Sequence, residues 1–278
     1  MNRIKCYFLG KAFPAVSVTA NRCALRCPHC MGQPLSNMLS AETPSKLMEI
    51  ATQLKKERAI GFLLSGGCNE KGVLPIGRYL ETIRQIKDTT NLRINSHIGF
   101  PRFSEAKQFV KAGIDVFSVN YPLNDRFGKE FFFVPDAMMR YQETVESLSE
   151  AGAKTIIPHV IIGLAHSDDE MAGLRRLIES SPQAIVFIAF SPLRGTPLEK
   201  RAPTSAEHII RSIRAVRQLS KNTKIVLGCM RPRGYAEMER LLMTELLDGI
   251  VMPNMSVLRS LEGKMNIERL DGCCSLYL

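Results

Sequence analysis

The sequence predicts an α/β chain of the (β/α)8 TIM-type barrel class, and three observations predict it. First, eight short runs are rich in Val, Ile and Phe and almost continuously apolar: Phe13–Thr19, Gly61–Gly67, Arg93–Gly99, Val116–Pro122, Thr155–Leu164, Ala184–Pro192, Lys224–Met230 and Gly249–Pro253. Strands covered on both faces read this way, whereas half-solvated strands alternate. Second, the stretches between them carry helical periodicity, and strands alternating with helices argue for a parallel sheet. Third, glycines, thiols and polar residues gather just after these runs. Barrels of this class keep their chemistry at the C-terminal ends of the strands.

The helices follow in order. Leu47, Ile50, Ala51 and Leu54 hold the i, i+3, i+4, i+7 spacing, with Thr43 as N-cap and Pro44 at the first helical position. Thr204-Ser205-Ala206-Glu207 reads as a capping box before Ile209, Ile210, Ile213 and Val216. Glu237 to Leu247 carries a stripe through Leu241, Leu242 and Leu246. Residues 1–255 are therefore assigned to the barrel, and residues 256–278 to a C-terminal tail packing on it.

Composition narrows the setting. A chain of 278 residues at 45% hydrophobic can bury a sizeable core. No apolar run reaches the roughly 18 residues of a membrane span, so no membrane partner is expected. The start, Met1-Asn2-Arg3-Ile4-Lys5, has no long apolar stretch of an export signal. Eight cysteines, three in a metal spacing and two adjacent, suit a reducing cytoplasm better than a disulfide framework. The net charge of +10 is spread without an arginine-rich tail or aromatic interleaving. It reads as a solvated basic surface or as attraction to an acidic partner, and not as a nucleic-acid interface.

The chemistry starts at Thr19-Ala20-Asn21-Arg22-Cys23-Ala24-Leu25-Arg26-Cys27-Pro28-His29-Cys30, which directly follows the first apolar run. Three thiolates at C-x3-C-x2-C can hold three irons of a [4Fe–4S] cube and leave the fourth open for chemistry. A zinc knuckle is the competing reading, but zinc takes four ligands in paired short spacings and no second C-x2-C follows. On this spacing, with His29 before the last cysteine, the chain resembles the radical S-adenosylmethionine (radical SAM) superfamily.

Later motifs extend the resemblance toward its biotin-synthase-like branch. Ser65-Gly66-Gly67 stands where such enzymes contact the amino group of SAM, although Cys68 replaces the usual acidic residue. Ile161, Ile162 and Gly163, with His159 before them, resemble the element that packs on adenine. The turn Gly195-Thr196-Pro197-Leu198 resembles one lying near the adenosine. Arg231 and Arg233 read equally as a clamp for a carboxylate or as two solvated arginines. His97 and His159 are apolar-flanked, and each reads equally as a hydrogen-bonded core residue or as a residue aimed at the lumen. Cys229 and the apolar end Gly272-Cys273-Cys274-Ser275 can furnish a second iron–sulfur site, with Cys68 as a fourth ligand or Ser275 as an oxygen one. Small hydrophobic cysteines are the other reading, and Cys6 reads as buried.

In these motifs the chain resembles the two-component, archaeal-type lipoyl synthase family. The resemblance implies SAM chelating the open iron, a 5′-deoxyadenosyl radical, and sulfur insertion into an octanoyl chain. It also implies an acidic lipoyl carrier, a second radical SAM protein, and an electron donor such as ferredoxin or flavodoxin. Two other readings stand beside it: radical SAM chemistry elsewhere in cofactor biosynthesis (methylation, rearrangement or ring formation), and a non-catalytic iron–sulfur subunit. Departures are plain, because no cysteine stands on the middle runs as in biotin synthase and the N-terminal cysteine triplet of single-chain lipoyl synthase is absent.

Overall fold

All eight apolar runs form strands in a computed structural model, which describes residues 3–277; Met1, Asn2 and Leu278 lie outside the described residues. In chain order the strands are β1 (Arg3–Phe8), β2 (Ala15–Ser17), β3 (Leu39–Ser40), β4 (Gly61–Ser65), β5 (Arg93–His97), β6 (Val116–Tyr121), β7 (Ile156–Ile162), β8 (Ala184–Ala189), β9 (Lys224–Leu227), β10 (Gly249–Val251) and β11 (Asn266–Asp271). The helices are α1 (Pro44–Lys56), α2 (Leu80–Thr89), α3 (Phe103–Lys111), α4 (Asp125–Phe127), α5 (Ala137–Glu150), α6 (Ser167–Glu179), α7 (Ala206–Leu219), α8 (Ala236–Glu245) and α9 (Met255–Leu261).

The chain divides into two compact units, residues 10–156 and residues 1–9 with 157–278. In the unit of residues 10–156 the strands run β3-β2-β4-β5-β6, and each pair from β3 to β6 is parallel. Phe62 and Leu64 on β4, Ile94 on β5, and Phe117 and Val119 on β6 are fully buried. Leu47 and Ala51 of α1 and Ile83 and Ile86 of α2 are buried as well. Each of these side chains larger than alanine contributes about 1.5–3 kcal/mol of burial. The first helix is started as the sequence expects, with Pro44 at its head and Thr43 Oγ1 accepting from Lys46 N at 3.2 Å.

The other unit runs β7-β8-β9-β10-β1-β11, parallel from β7 to β11. Ile185, Phe187, Ile225, Leu227 and Ile250 are buried, as are Ile209, Ile213 and Val216 of α7. The cap of α7 corrects the sequence reading. Ser205 accepts from His208 N at 3.2 Å, whereas Thr204 turns inward and donates to the carbonyls of Ile162 and Phe190 at 3.2 and 3.0 Å.

Strands β1, β3 and β11 were not expected. The segment assigned to a packing tail holds α9 and β11, and β11 pairs with β1 from Arg3↔Asn266 to Phe8↔Asp271. The short helical turn Cys274–Tyr277 follows it.

Candidate functional site

In the unit of residues 10–156, the loop after β2 carries Cys23, Cys27 and Cys30. Ser17 Oγ donates to Ala20 O at 2.7 Å and accepts from Thr19 N at 3.3 Å, turning the chain out of the strand. Two bonds then lace the loop to the end of β4. Gly67 N donates to Thr19 Oγ1 at 2.7 Å, and Ala24 N donates to Cys68 O at 2.9 Å. A side chain at residue 67 is impossible here, because a Cβ on Gly67 would overlap Arg22 O and the Cα of Cys23. Cys27 O accepts from Cys30 N at 3.0 Å and Met31 N at 2.8 Å, so Cys27, His29 and Cys30 share one helical turn. Ala20, Arg26 and Met31 hold left-handed φ values of 48°, 44° and 50°. Each costs on the order of 1–3 kcal/mol, and such strain persists only where the surroundings fix it.

The loop is electrostatically tense. The Cys27 thiol donates to Cys30 and holds it down to about 4 against burial, helped by His29 and the N–H of Gly32. Cys27 is driven upward by that same bond, by burial, and by the charges of Cys30, Cys23 and Cys68. Burial pushes Cys68 up to about 12, and Cys23 and Cys30 add to the shift. Like charges at close quarters disfavour one another, so these thiols ionise together only against a bound cation. His29 Nδ1 is buried without a hydrogen-bond partner, and the His29 ring lies edge-on to Phe132 at 6.0 Å. Soft donors on one fixed strap, an orphaned imidazole nitrogen and mutual thiolate repulsion fit an iron–sulfur group held by Cys23, Cys27 and Cys30. Among the described residues no three His, Cys, Asp or Glu side chains form a single-ion site.

Beside the strap, Ser65 is buried and its carbonyl accepts from Val18 N at 2.9 Å. Cys68 stands with the first thiol trio, where Cys23 and Cys30 act on it. His97 closes β5, where burial lowers it to about 4 and keeps it neutral near pH 7. Asn95 and Ser118 pair beside it, with the Ser118 hydroxyl donating to Asn95 Oδ1 at 2.9 Å.

The other unit gathers the late cysteines. Cys274 is buried, and its thiol rises through its hydrogen bond to Cys273, then through burial and the charges of Cys273 and Cys229. Cys229 is solvent-accessible yet crowded. Desolvation and Cys273 raise it, while Arg231 and Arg233 pull it down. Tyr7, fully buried on β1, is raised by burial and then by the charge of Cys274. The sequence reading missed Tyr7, because β1 itself was not legible. Ser275 Oγ lies 3.9 Å from Cys274 Sγ.

Arg231 corrects an expectation. Its side chain is buried, and all five N–H groups are committed. Nε and Nη2 donate to Glu239 Oε1 at 3.2 and 2.9 Å. Nη1 donates to the carbonyls of Gly228 and Val251 at 2.7 Å each, and Nη2 also reaches Met252 O at 3.0 Å. No donor is left for a ligand carboxylate, so Arg231 is a staple between the ends of β9 and β10. Arg233 is exposed and spends one N–H each on Met252 O and Cys229 O, so it retains donors for an anion.

Gly163 follows β7 at φ 86°, where a Cβ would overlap Thr204 Oγ1. Its N–H donates to Glu170 Oε2 at 2.7 Å. Glu170 is completely buried, accepts from Ser212 Oγ at 2.7 Å, and lies 2.7 Å from His208 Nε2. Glu170 escaped the sequence reading because Asp168-Asp169-Glu170 looks like a solvated helix start. Ile162 is fully buried, and its carbonyl accepts from Phe190 N at 3.0 Å. His159 is buried with Nδ1 3.1 Å from Ile157 O. Thr196 Oγ1 donates to Leu193 O at 2.8 Å, holding its own turn.

Comparison with known proteins places the chain among related sequences. The biotin synthase of Clostridium botulinum (strain Langeland / NCTC 10281 / Type F) is 23% identical over 245 residues, covering 82% of this chain and 73% of that protein. The biotin synthase of Halorhodospira halophila (strain DSM 244 / SL1) is 25% identical over 239 residues, covering 83% and 72%. Methylornithine synthase (PylB) superposes with a TM-score of 0.67 at 16% identity, over 96% of this chain and 83% of that one. HydG, a maturase of the [FeFe]-hydrogenase, gives 0.66 at 17% identity, over 90% of this chain and 57% of that one. Streptococcus suis SuiB bound to S-adenosylmethionine gives 0.60 at 15% identity, over 78% and 51%. The chain thus spans little more than half the length of HydG and SuiB. No protein-family model matches the chain. The structural likenesses show the fold, and it is the TIM-type α/β class expected from the sequence. No helix among the described residues is long and apolar enough to cross a membrane.

Proposed function

We propose that the chain is a radical SAM enzyme whose [4Fe–4S] cluster is held by Cys23, Cys27 and Cys30. The observation that carries the reading is the strap itself: three thiols on one loop, with the Cys27 thiol bonded to Cys30 and the charges of Cys30 and Cys23 acting on it, the loop being bonded to Gly67 and Cys68 at the end of β4. The similarity to biotin synthases across about four-fifths of the chain supports it, as does the fold shared with SuiB, solved with S-adenosylmethionine. When bound, the cluster supplies the electron that cleaves SAM to methionine and a 5′-deoxyadenosyl radical. The chain's residues then bind and orient. Backbone groups of Ser65, Gly66 and Gly67 offer polar contacts to the methionine end, with Gly67 as the point where no side chain intervenes. The Glu170–Gly163 bond and the Thr204 hydroxyl fix the end of β7, where Ile162 and Gly163 are proposed to meet adenine. His159 and the Thr196 turn stand with these proposed nucleoside contacts. Arg233 is the residue with donors left for a carboxylate.

The finer proposal is sulfur insertion into an octanoyl chain during lipoyl cofactor formation. Cys229, Cys273 and Cys274 are proposed to hold a second iron–sulfur group from which sulfur is taken. An acidic lipoyl carrier suits the net charge of +10. A second radical SAM protein sharing the work, a ferredoxin or flavodoxin donor and a cytoplasmic setting complete the proposal. The structural matches to methylornithine synthase and a hydrogenase maturase favour a second reading: radical SAM chemistry in another biosynthesis. Anaerobic reconstitution separates them. Iron and sulfide counts for two clusters, and thiolated product from an octanoyl-lysine peptide, support sulfur insertion. One cluster with 5′-deoxyadenosine but no sulfur-bearing product supports the second reading. A folded chain that binds iron and never yields 5′-deoxyadenosine ends both and leaves an iron–sulfur subunit.

A further inference from the structure

The C-x3-C-x2-C strap brings a fourth thiol with it. Cys68 follows Gly67 at the end of β4, and its carbonyl accepts at 2.9 Å from the N–H of Ala24, the residue directly after Cys23. Gly67 packs so closely that only a hydrogen fits between its Cα and Cys23. The Cys68 thiol accordingly lies within reach of the charges on Cys23 and Cys30, and it acts in turn on Cys27. Four thiols from two segments thus stand together, tied by two backbone bonds.

We propose that Cys68 caps the fourth iron when SAM is absent, and that SAM displaces it. This rests on the cluster reading above and adds a resting state to it. On capping, the Cys68 S–H bond breaks, the proton goes to solvent and an Fe–S bond forms. On SAM binding that Fe–S bond breaks, the amino and carboxylate groups take the iron, and the thiolate recovers a proton. No electron moves in either step. A capped cube has no exposed iron to lose, whereas an uncapped one sheds its fourth iron on oxidation.

The test uses the full chain carrying Cys229→Ala and Cys273→Ala, so that one cluster remains, with and without Cys68→Ser. Cys68→Ala is the second variant, and far-UV circular dichroism verifies folding. Each sample is reconstituted anaerobically and then treated with ferricyanide without SAM. The expected result is about four irons retained when Cys68 is present and about three when it is replaced, with a three-iron electron-paramagnetic signal in the variants alone. SAM affinity, read by equilibrium dialysis, should rise about tenfold in Cys68→Ser if the cap is closed nine-tenths of the time. Equal iron loss with and without Cys68 overturns the cap while leaving the cluster reading intact. A folded chain that assembles no cluster overturns both.

Discussion

Replacing Arg231 by Met separates a staple from a ligand clamp. The guanidinium is buried and pairs with Glu239 Oε1 through two N–H groups. Glu239 is 3% exposed, and its other oxygen accepts from Asn254 N at 2.6 Å. Burial pushes the Arg231 guanidinium down, and the Glu239 charge opposes that shift. Removing the cation leaves a buried carboxylate and strips donors from the carbonyls of Gly228, Val251 and Met252. Breaking one side of a buried pair costs about 3–5 kcal/mol. At about 2–4 °C per kcal/mol for chains approaching this size, the melting midpoint should fall by about 6–20 °C. The assay is a thermal melt by circular dichroism at neutral pH. Arg231→Met with Glu239→Met should recover part of the loss, because no charge is then stranded. A single variant that melts within about 2 °C of the parent while losing affinity for SAM would refute the staple and restore the clamp.

Gly67→Ala should lower bound iron severalfold without altering far-UV dichroism, because its Cβ displaces Arg22 and Cys23 while β4 remains paired; iron assay after anaerobic reconstitution reads it. His97 gives a pH dependence: the unfolded chain takes a proton near 6.5, and the folded chain refuses it until about 4. Stability should therefore fall as pH drops through that window, and His97→Gln should flatten the slope in urea titrations. Gly163→Ala, which puts a Cβ onto Thr204 in a left-handed backbone, should destabilise the chain by about 1–3 kcal/mol, read as a lower urea midpoint. Cys229→Ala should lower iron per chain while 5′-deoxyadenosine production continues, if the late cysteines hold a second cluster.

The eight strands were legible because their side chains are buried on both faces, and burial writes itself into sequence as an unbroken apolar run. The three others are held differently. β11 reads Asn-Ile-Glu-Arg-Leu-Asp and is largely exposed or half-exposed, so its place beside β1 rests on backbone pairing that no side-chain pattern reports. β3 has only two residues. β1 carries Arg3 and Lys5 between buried Ile4 and Cys6, which breaks the run that marked the others.

The same distinction governs the site. The strap was legible because metal spacing is local: three thiols within eight residues must lie on one loop. Partnerships across the chain were not. Arg231 looked available because a sequence shows a cation and not its neighbours, and Glu239 looked like any acid in a helix. Buried ionic groups must find partners, so two arginines flanking Pro232 oblige at least the inward one to be neutralised. A search for the acid that could meet it would have found Glu239 eight residues on. Cys68 shows the opposite failure. Its type suggested the late cysteines, which share its chemistry, while its position directly after Gly67 was the stronger signal. A glycine with no room for a methyl group marks where two backbones touch, and whatever follows it on one strand is carried to the other. Read by that rule, the fourth thiol belongs to the loop that Gly67 touches.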